Sequence, residues 1–128
     1  IIAFQESPII GIGPDVYRKS CPSLTEGIDN IDCHTHPHNF YIQLAGETGI
    51  IGLVAGCLMI CSIIVACFSY RRVDRNNIFT AVAYVVPLAV FFPLKSTGDF
   101  FGQWNNLFMW SAVAFALASG NLLQERKK

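Results

Sequence analysis

The sequence predicts an all-α membrane protein, with three transmembrane helices preceded by an irregular exterior loop, forming part of a larger helical bundle. Three observations predict it. The chain of 128 residues is 52% hydrophobic but only 14% charged, whereas a soluble domain carries about a quarter charged residues. Uncharged runs of spanning length recur along its second half. The charges between those runs are clustered, and two of the clusters are basic.

Residues 1–49 form the exterior loop and a helix entry. Between Pro8 and Pro37 the text is rich in Pro, Gly, Asp, Ser and Thr, which reads as irregular backbone. From Asn39 onward apolar and small residues recur at helical spacing (Phe40, Leu44, Thr48, Ile51), so a helix starts near His38 and runs into the first span. That span, residues 50–70, is 21 residues without a charge, matching the ~20 that a helix needs to cross a bilayer. It ends at a basic link, residues 71–77, carrying Arg71, Arg72 and Arg75. Short basic links stay cytoplasmic under the positive-inside rule.

The second span, residues 78–94, is 17 residues, with Pro87 and Pro93 expected to kink it or end it early. Residues 95–106 mix turn residues, two charges and aromatics, as suits an exterior loop. Lys95 and Asp99 are placed to pair across it. The third span, residues 107–123, is followed by a basic tail, residues 124–128, again on the cytoplasmic side. The two basic clusters agree: the N-terminal 49 residues lie outside and the C-terminus inside. The chain opens without Met and shows no signal peptide, so it is expected to be a piece of a longer protein with further spans upstream.

Formal neutrality, nine basic against nine acidic residues, argues against nucleic acid as a partner. Five cysteines fall into two environments. Cys57, Cys61 and Cys67 sit in the apolar run and pack as small hydrophobes. Cys21 and Cys33 lie in the polar loop and are expected to form a disulfide if that loop faces an oxidising compartment.

Chemistry concentrates around His34, His36 and His38, three imidazoles within five residues just outside the first span. Imidazoles can transfer protons near neutral pH. A metal site would need further donors, for which Asp29, Asp32 and Cys33 are at hand, but no HExxH or CxxC spacing accompanies them, and no metal is expected. A solvated or helix-capping loop is the bland reading of the cluster. Arg18 is the only arginine expected on the exterior side, and a guanidinium forks two hydrogen bonds onto a phosphate better than an ammonium such as Lys19; it too has a bland reading, as a solvated loop residue. Gly46, Gly49, Gly52 and Gly56 recur at spacings of three and four, a small-residue ridge expected to dock helices from elsewhere in the protein. Glu47 is not aligned with His38 on a helix and reads as an interfacial or bundle-facing carboxylate.

The stretch HNFYIQLAGETGIIG resembles the signature of the O-antigen ligase and polymerase superfamily, in which His and then Asn, Ser or Gln precede nine residues and a Gly-x-x-Gly-like pair. The neighbouring SPIIGIG with Tyr17-Arg18, the Glu47-Thr48-Gly49 text and the KSTGDFF loop are similar too. The resemblance implies a metal-independent membrane glycosyltransferase without cofactor, in a bacterial inner membrane, with residues 1–49 periplasmic. It makes His38 the base that activates an acceptor hydroxyl, Arg18 the ligand of a polyprenyl-diphosphate-linked glycan donor, and Asn39 a residue that holds the imidazole or a sugar hydroxyl. The acceptor would be lipid A core for a ligase, or a growing glycan for a polymerase. Outside this superfamily, a transport module and a structural subunit remain as readings of the apolar spans.

Overall fold

In the computed structural model, residues 2–27, 33, 36–69 and 78–125 are described, residues 120–125 as backbone alone. The predicted 71–77 link, His34 and the basic end of the predicted tail lie outside them. Among the described residues all regular structure is helical: α1 (Ile2–Glu6), α2 (Tyr17–Leu24), α3 (Phe40–Phe68), α4 (Ile78–Val90) and α5 (Gln103–Glu125).

Two of these helices amend the sequence reading. The stretch expected to be irregular contains α2, eight residues with Pro22 inside, ended where the Thr25 N–H and hydroxyl both donate to the Cys21 carbonyl. The second predicted span shortens to α4, whose 13 residues reach about 20 Å, less than the ~30 Å hydrocarbon core. The α region is disfavoured for Phe92 because Pro93 follows it, so the helix stops ahead of that proline. The third predicted span falls within α5. Among the described residues one helix, α3, is long and apolar enough to cross a membrane.

α3 is not one straight rod. Gly49 sits at φ 65° and ψ −166°, non-helical values that divide it into an entry half and an apolar half. This region is open essentially to glycine alone. The break leaves backbone groups without intrahelical partners, and the segment Pro8–Gly13 supplies them. The N–H groups of Ile50 and Ile51 donate to the carbonyls of Pro8 and Ile9 at 2.9 and 3.4 Å, while those of Ile12 and Gly13 donate to the carbonyls of Gly46 and Glu47 at 3.2 and 2.9 Å. Such close backbone approach requires missing side chains on both sides. A Cβ on Gly49 would strike the Ile9 carbonyl, and one on Gly11, itself at φ 73°, would strike the Glu47 backbone. Past the break, the Leu44 side chain comes back to Gly56, where a Cβ would lie 2.8 Å from its Cδ1.

The glycine ridge therefore differs from the expectation. Gly49 is a helix break filled by this chain's own Pro8–Gly13 segment, and Gly46 faces Ala3 of α1. Gly52 lies under Thr48, whose hydroxyl donates back to the Leu44 carbonyl at 2.7 Å.

The chain divides into two compact units. One comprises Ile1–Cys57 and Pro93–Asn105 and contains every candidate site residue. The other comprises Leu58–Phe92 and Asn106–Lys128. In the latter, Thr80, Ala83 and Pro87 are buried along one face of α4, and Met109, Val113 and Ala116 along one face of α5. Phe68 packs on Tyr84 and Phe91 on Trp110, with ring centroids 4.7 and 6.1 Å apart. Leu58, Val65, Val85, Leu88, Phe108 and Phe115 of the same helices are exposed.

Candidate functional site

The site is built around the start of α3. Asn39 precedes the helix, and its Oδ1 accepts the N–H groups of Tyr41 and Ile42 at 3.0 and 3.2 Å. This is an N-cap, satisfying donors that the first turn cannot pair internally. The Asn39 amide also donates to the Pro93 carbonyl at 2.7 Å. His38 comes just before the cap, exposed, with its ring edge-on to His36 at 5.0 Å between centroids. Its carbonyl accepts the Thr97 N–H at 3.0 Å. Residues 93–102 thus clip onto the same corner from which the imidazole projects.

Replacing Asn39 by Ala removes both the cap and the tie to Pro93. We expect a loss of about 1–2 kcal/mol in stability, seen as a lowered melting temperature of the detergent-purified full-length protein. Asn39→Asp keeps the capping oxygen and should lose roughly half as much.

A buried polar network extends from this corner. Gln43 and Glu47, one turn apart on α3, are each only 1% exposed. The Gln43 amide donates to Asp99 Oδ1 at 2.6 Å and to Glu47 Oε2 at 3.4 Å, while its Oε1 accepts the Phe100 N–H at 2.8 Å. Asp99 Oδ1 also accepts the Phe101 N–H at 3.0 Å, and the Asp99 carbonyl accepts from Asn105 at 3.1 Å. Asp99 is thereby held by Gln43 and its own loop, and the expected Lys95–Asp99 pair is not formed; the ion pair among the described residues is Arg18–Asp15. Phe40 and Phe100 meet edge to face, with ring centroids 5.3 Å apart.

Glu47 connects the network to α2. Its Oε2 accepts the Asp15 N–H at 2.9 Å and its Oε1 the Tyr17 N–H at 3.1 Å. Asp15 adopts a left-handed φ of 58°, which Asp tolerates and which presents its N–H to the carboxylate. A carboxylate on the opening donors of α2 satisfies groups that would otherwise be left unpaired. Arg18 follows in the first turn of that helix, exposed, with its guanidinium 3.5 Å from Asp15. One turn further on, Cys21 is bonded to Cys33 with Cα atoms 5.8 Å apart, tying α2 to the chain leading into His36–His38.

Arg18 and His38 thus occupy one compact unit, joined covalently through Cys21–Cys33 and by hydrogen bonds through Glu47 and Gln43. Gly49 and Gly52 stand beyond Glu47 at the break, where they shape the backbone. Sequence reasoning missed Gln43 altogether and left Glu47 without partners. Their spacing of four, an amide and a carboxylate one turn apart in a largely apolar helix, was the available signal. No group of three His, Cys, Asp or Glu side chains that could hold a metal occurs among the described residues.

Fold and site together define a helical protein whose longest helix is capped and broken at its entry, with a His–Asn pair at the cap and an arginine-bearing loop helix docked beside it. Residues 1–57 match the family model described as O-Antigen ligase, which bears out the resemblance carried by the His38–Gly52 text. The matched segment ends at Cys57, where the first stretch of the site-bearing unit also ends. No curated protein and no solved structure matches the chain.

Proposed function

We propose that this chain is part of an O-antigen ligase-like glycosyltransferase of the bacterial inner membrane, transferring a glycan from a polyprenyl-diphosphate carrier to an acceptor hydroxyl on lipid A core. The observation that carries the reading is the family match over residues 1–57, which includes the complete His38-Asn39 and Gly49-Gly52 pattern. The exposed apolar side chains of α3 to α5 support a lipid setting, since such surfaces are disfavoured in water. In this reading the apolar half of α3 crosses the bilayer and the broken entry half lies at its periplasmic face.

The chemistry asks little of the protein beyond a base and charge stabilisation. His38 takes the proton of the acceptor hydroxyl as its oxygen bonds to the anomeric carbon of the donor sugar, while the bond from that carbon to the polyprenyl diphosphate breaks. The diphosphate leaves carrying the bonding electron pair, and Arg18 stabilises the charge that develops on it. For that, the guanidinium exchanges Asp15 for a phosphate, a small cost because an exposed ion pair contributes little. Asn39 contributes by fixing the helix start from which His38 projects.

The test uses the full-length protein in liposomes, supplied with a polyprenyl-diphosphate-linked oligosaccharide and lipid A core. Free polyprenyl diphosphate and glycosylated lipid A core should appear together. Chain extension on the carrier without lipid A core would assign the polymerase reaction instead. Donor that stays intact under both conditions, or is moved across the bilayer unchanged, would overturn the transferase reading.

A further inference from the structure

We propose that Glu47, braced by Gln43, is a positioning residue for Arg18, setting from the α3 entry helix the direction in which α2 presents its guanidinium to a lipid-linked diphosphate. This rests on the transfer reading above and adds to it a residue that touches neither the donor nor the reacting atoms.

Three observations carry it. First, a two-turn helix holding Pro22 has little stability of its own, so its orientation must come from contacts outside itself. Second, the contacts at its start are made to Glu47: the Asp15 and Tyr17 N–H groups, either side of Val16, fork onto the two oxygens of one carboxylate. Rotation of α2 about its start would break one or both bonds, and Arg18 is the residue immediately after this clamp. Third, the carboxylate is itself held. Gln43 donates to Oε2 from one turn earlier, and the same Gln43 side chain grips Asp99 and the Phe100 N–H. α2 and the Asp99–Phe101 loop are thus referenced to one helix, whose first residue follows the His38–Asn39 pair.

The arrangement makes sense for an exposed arginine. Its partner Asp15 lies three residues earlier, just ahead of α2, and is also exposed, so the ion pair does not orient the helix. An anchored backbone does. It also predicts the sign of an effect. Glu47→Gln removes a negative charge near Arg18, and through the field alone it would tighten binding of an anionic donor. Loss of positioning predicts weaker binding, because the amide offers an N–H where one backbone N–H needs an acceptor.

The experiment measures kcat and donor KM for the full-length protein with a polyprenyl-diphosphate-linked oligosaccharide, in a cycle of wild type, Glu47→Gln, Arg18→Ala and the double variant. Glu47→Gln should raise donor KM about tenfold, the worth of one hydrogen bond to a charged group, with kcat within about twofold because the catalytic geometry at His38 is untouched. In the Arg18→Ala background the same substitution should add nothing, since its effect passes through Arg18. If Glu47→Gln does not accumulate in the membrane, Glu47→Asp, which retracts the oxygens by one methylene, is read in the same cycle. An unchanged or lowered KM, or a full tenfold rise even without Arg18, overturns the positioning role. His38→Ala is run alongside: if wild type leaves the donor intact, the transfer reading fails; if wild type transfers, His38→Ala is inactive and Glu47→Gln keeps its donor KM, only the role of Glu47 fails.

Discussion

Gly49→Ala is expected to be severely destabilising, although it adds a single methyl group. The residue occupies a backbone region that costs other residues of order 1–3 kcal/mol, and its added Cβ would run into the Ile9 carbonyl. Relief requires Pro8–Gly13 to withdraw, which breaks the bonds from Ile50 and Ile51 to Pro8 and Ile9 and those from Ile12 and Gly13 to Gly46 and Glu47. Each lost bond contributes about 0.5–1.5 kcal/mol. A total of about 3–9 kcal/mol is comparable to the 5–15 kcal/mol by which a typical protein is stable. The outcome should be strongly reduced membrane abundance and a collapsed melting transition. Gly46→Ala is the control, because its Cβ would sit 3.4 Å from that of Ala3, an ordinary contact, and it should behave nearly as wild type. Equal stability of the two variants would mean that the break at Gly49 is not needed.

The contrast between these glycines shows what the sequence does and does not disclose. Four glycines at spacings of three and four are indistinguishable from a helix-packing ridge when only the helix is considered. Their roles separate only when Pro8–Gly13, almost forty residues upstream, is laid against them. The start of α3 was legible because its signal is local: Asn39 is a capping residue next to an apolar periodic run. α2 was not, because Pro22 and the polar text around it read as loop, and what holds it helical is remote, Glu47 at its start and Cys33 bonded to Cys21. The second predicted span was bounded at residue 94 by its uncharged run, with Pro87 and Pro93 expected to kink it or end it early. The helix ends four residues earlier, at Val90, since backbone geometry before Pro93 prevails over apolarity.

The candidate site was legible to the same degree. His38, Asn39 and Arg18 emerged from a compact motif and from charge placement, which are properties of the text. The Gln43, Glu47 and Asp99 network joins positions up to 57 residues apart, and no local pattern encodes that Gln43 would meet Phe100. A polar residue in an apolar helix states that a partner exists without saying which.

The central claim is that His38 removes the acceptor proton, and one measurement addresses it most directly. Turnover of the purified full-length protein is compared with that of His38→Ala, at saturating polyprenyl-diphosphate-linked oligosaccharide and lipid A core. General-base catalysis by a positioned side chain accelerates a reaction by about 10²–10⁴, so kcat should fall by at least about a hundredfold. Donor KM should stay within a few-fold of wild type, since Arg18 and the Glu47 clamp are in place. The variant should remain folded, because the bond from Thr97 is to the His38 backbone carbonyl, which the substitution keeps. A His38→Ala protein that is folded and transfers glycan at the wild-type rate would contradict the account.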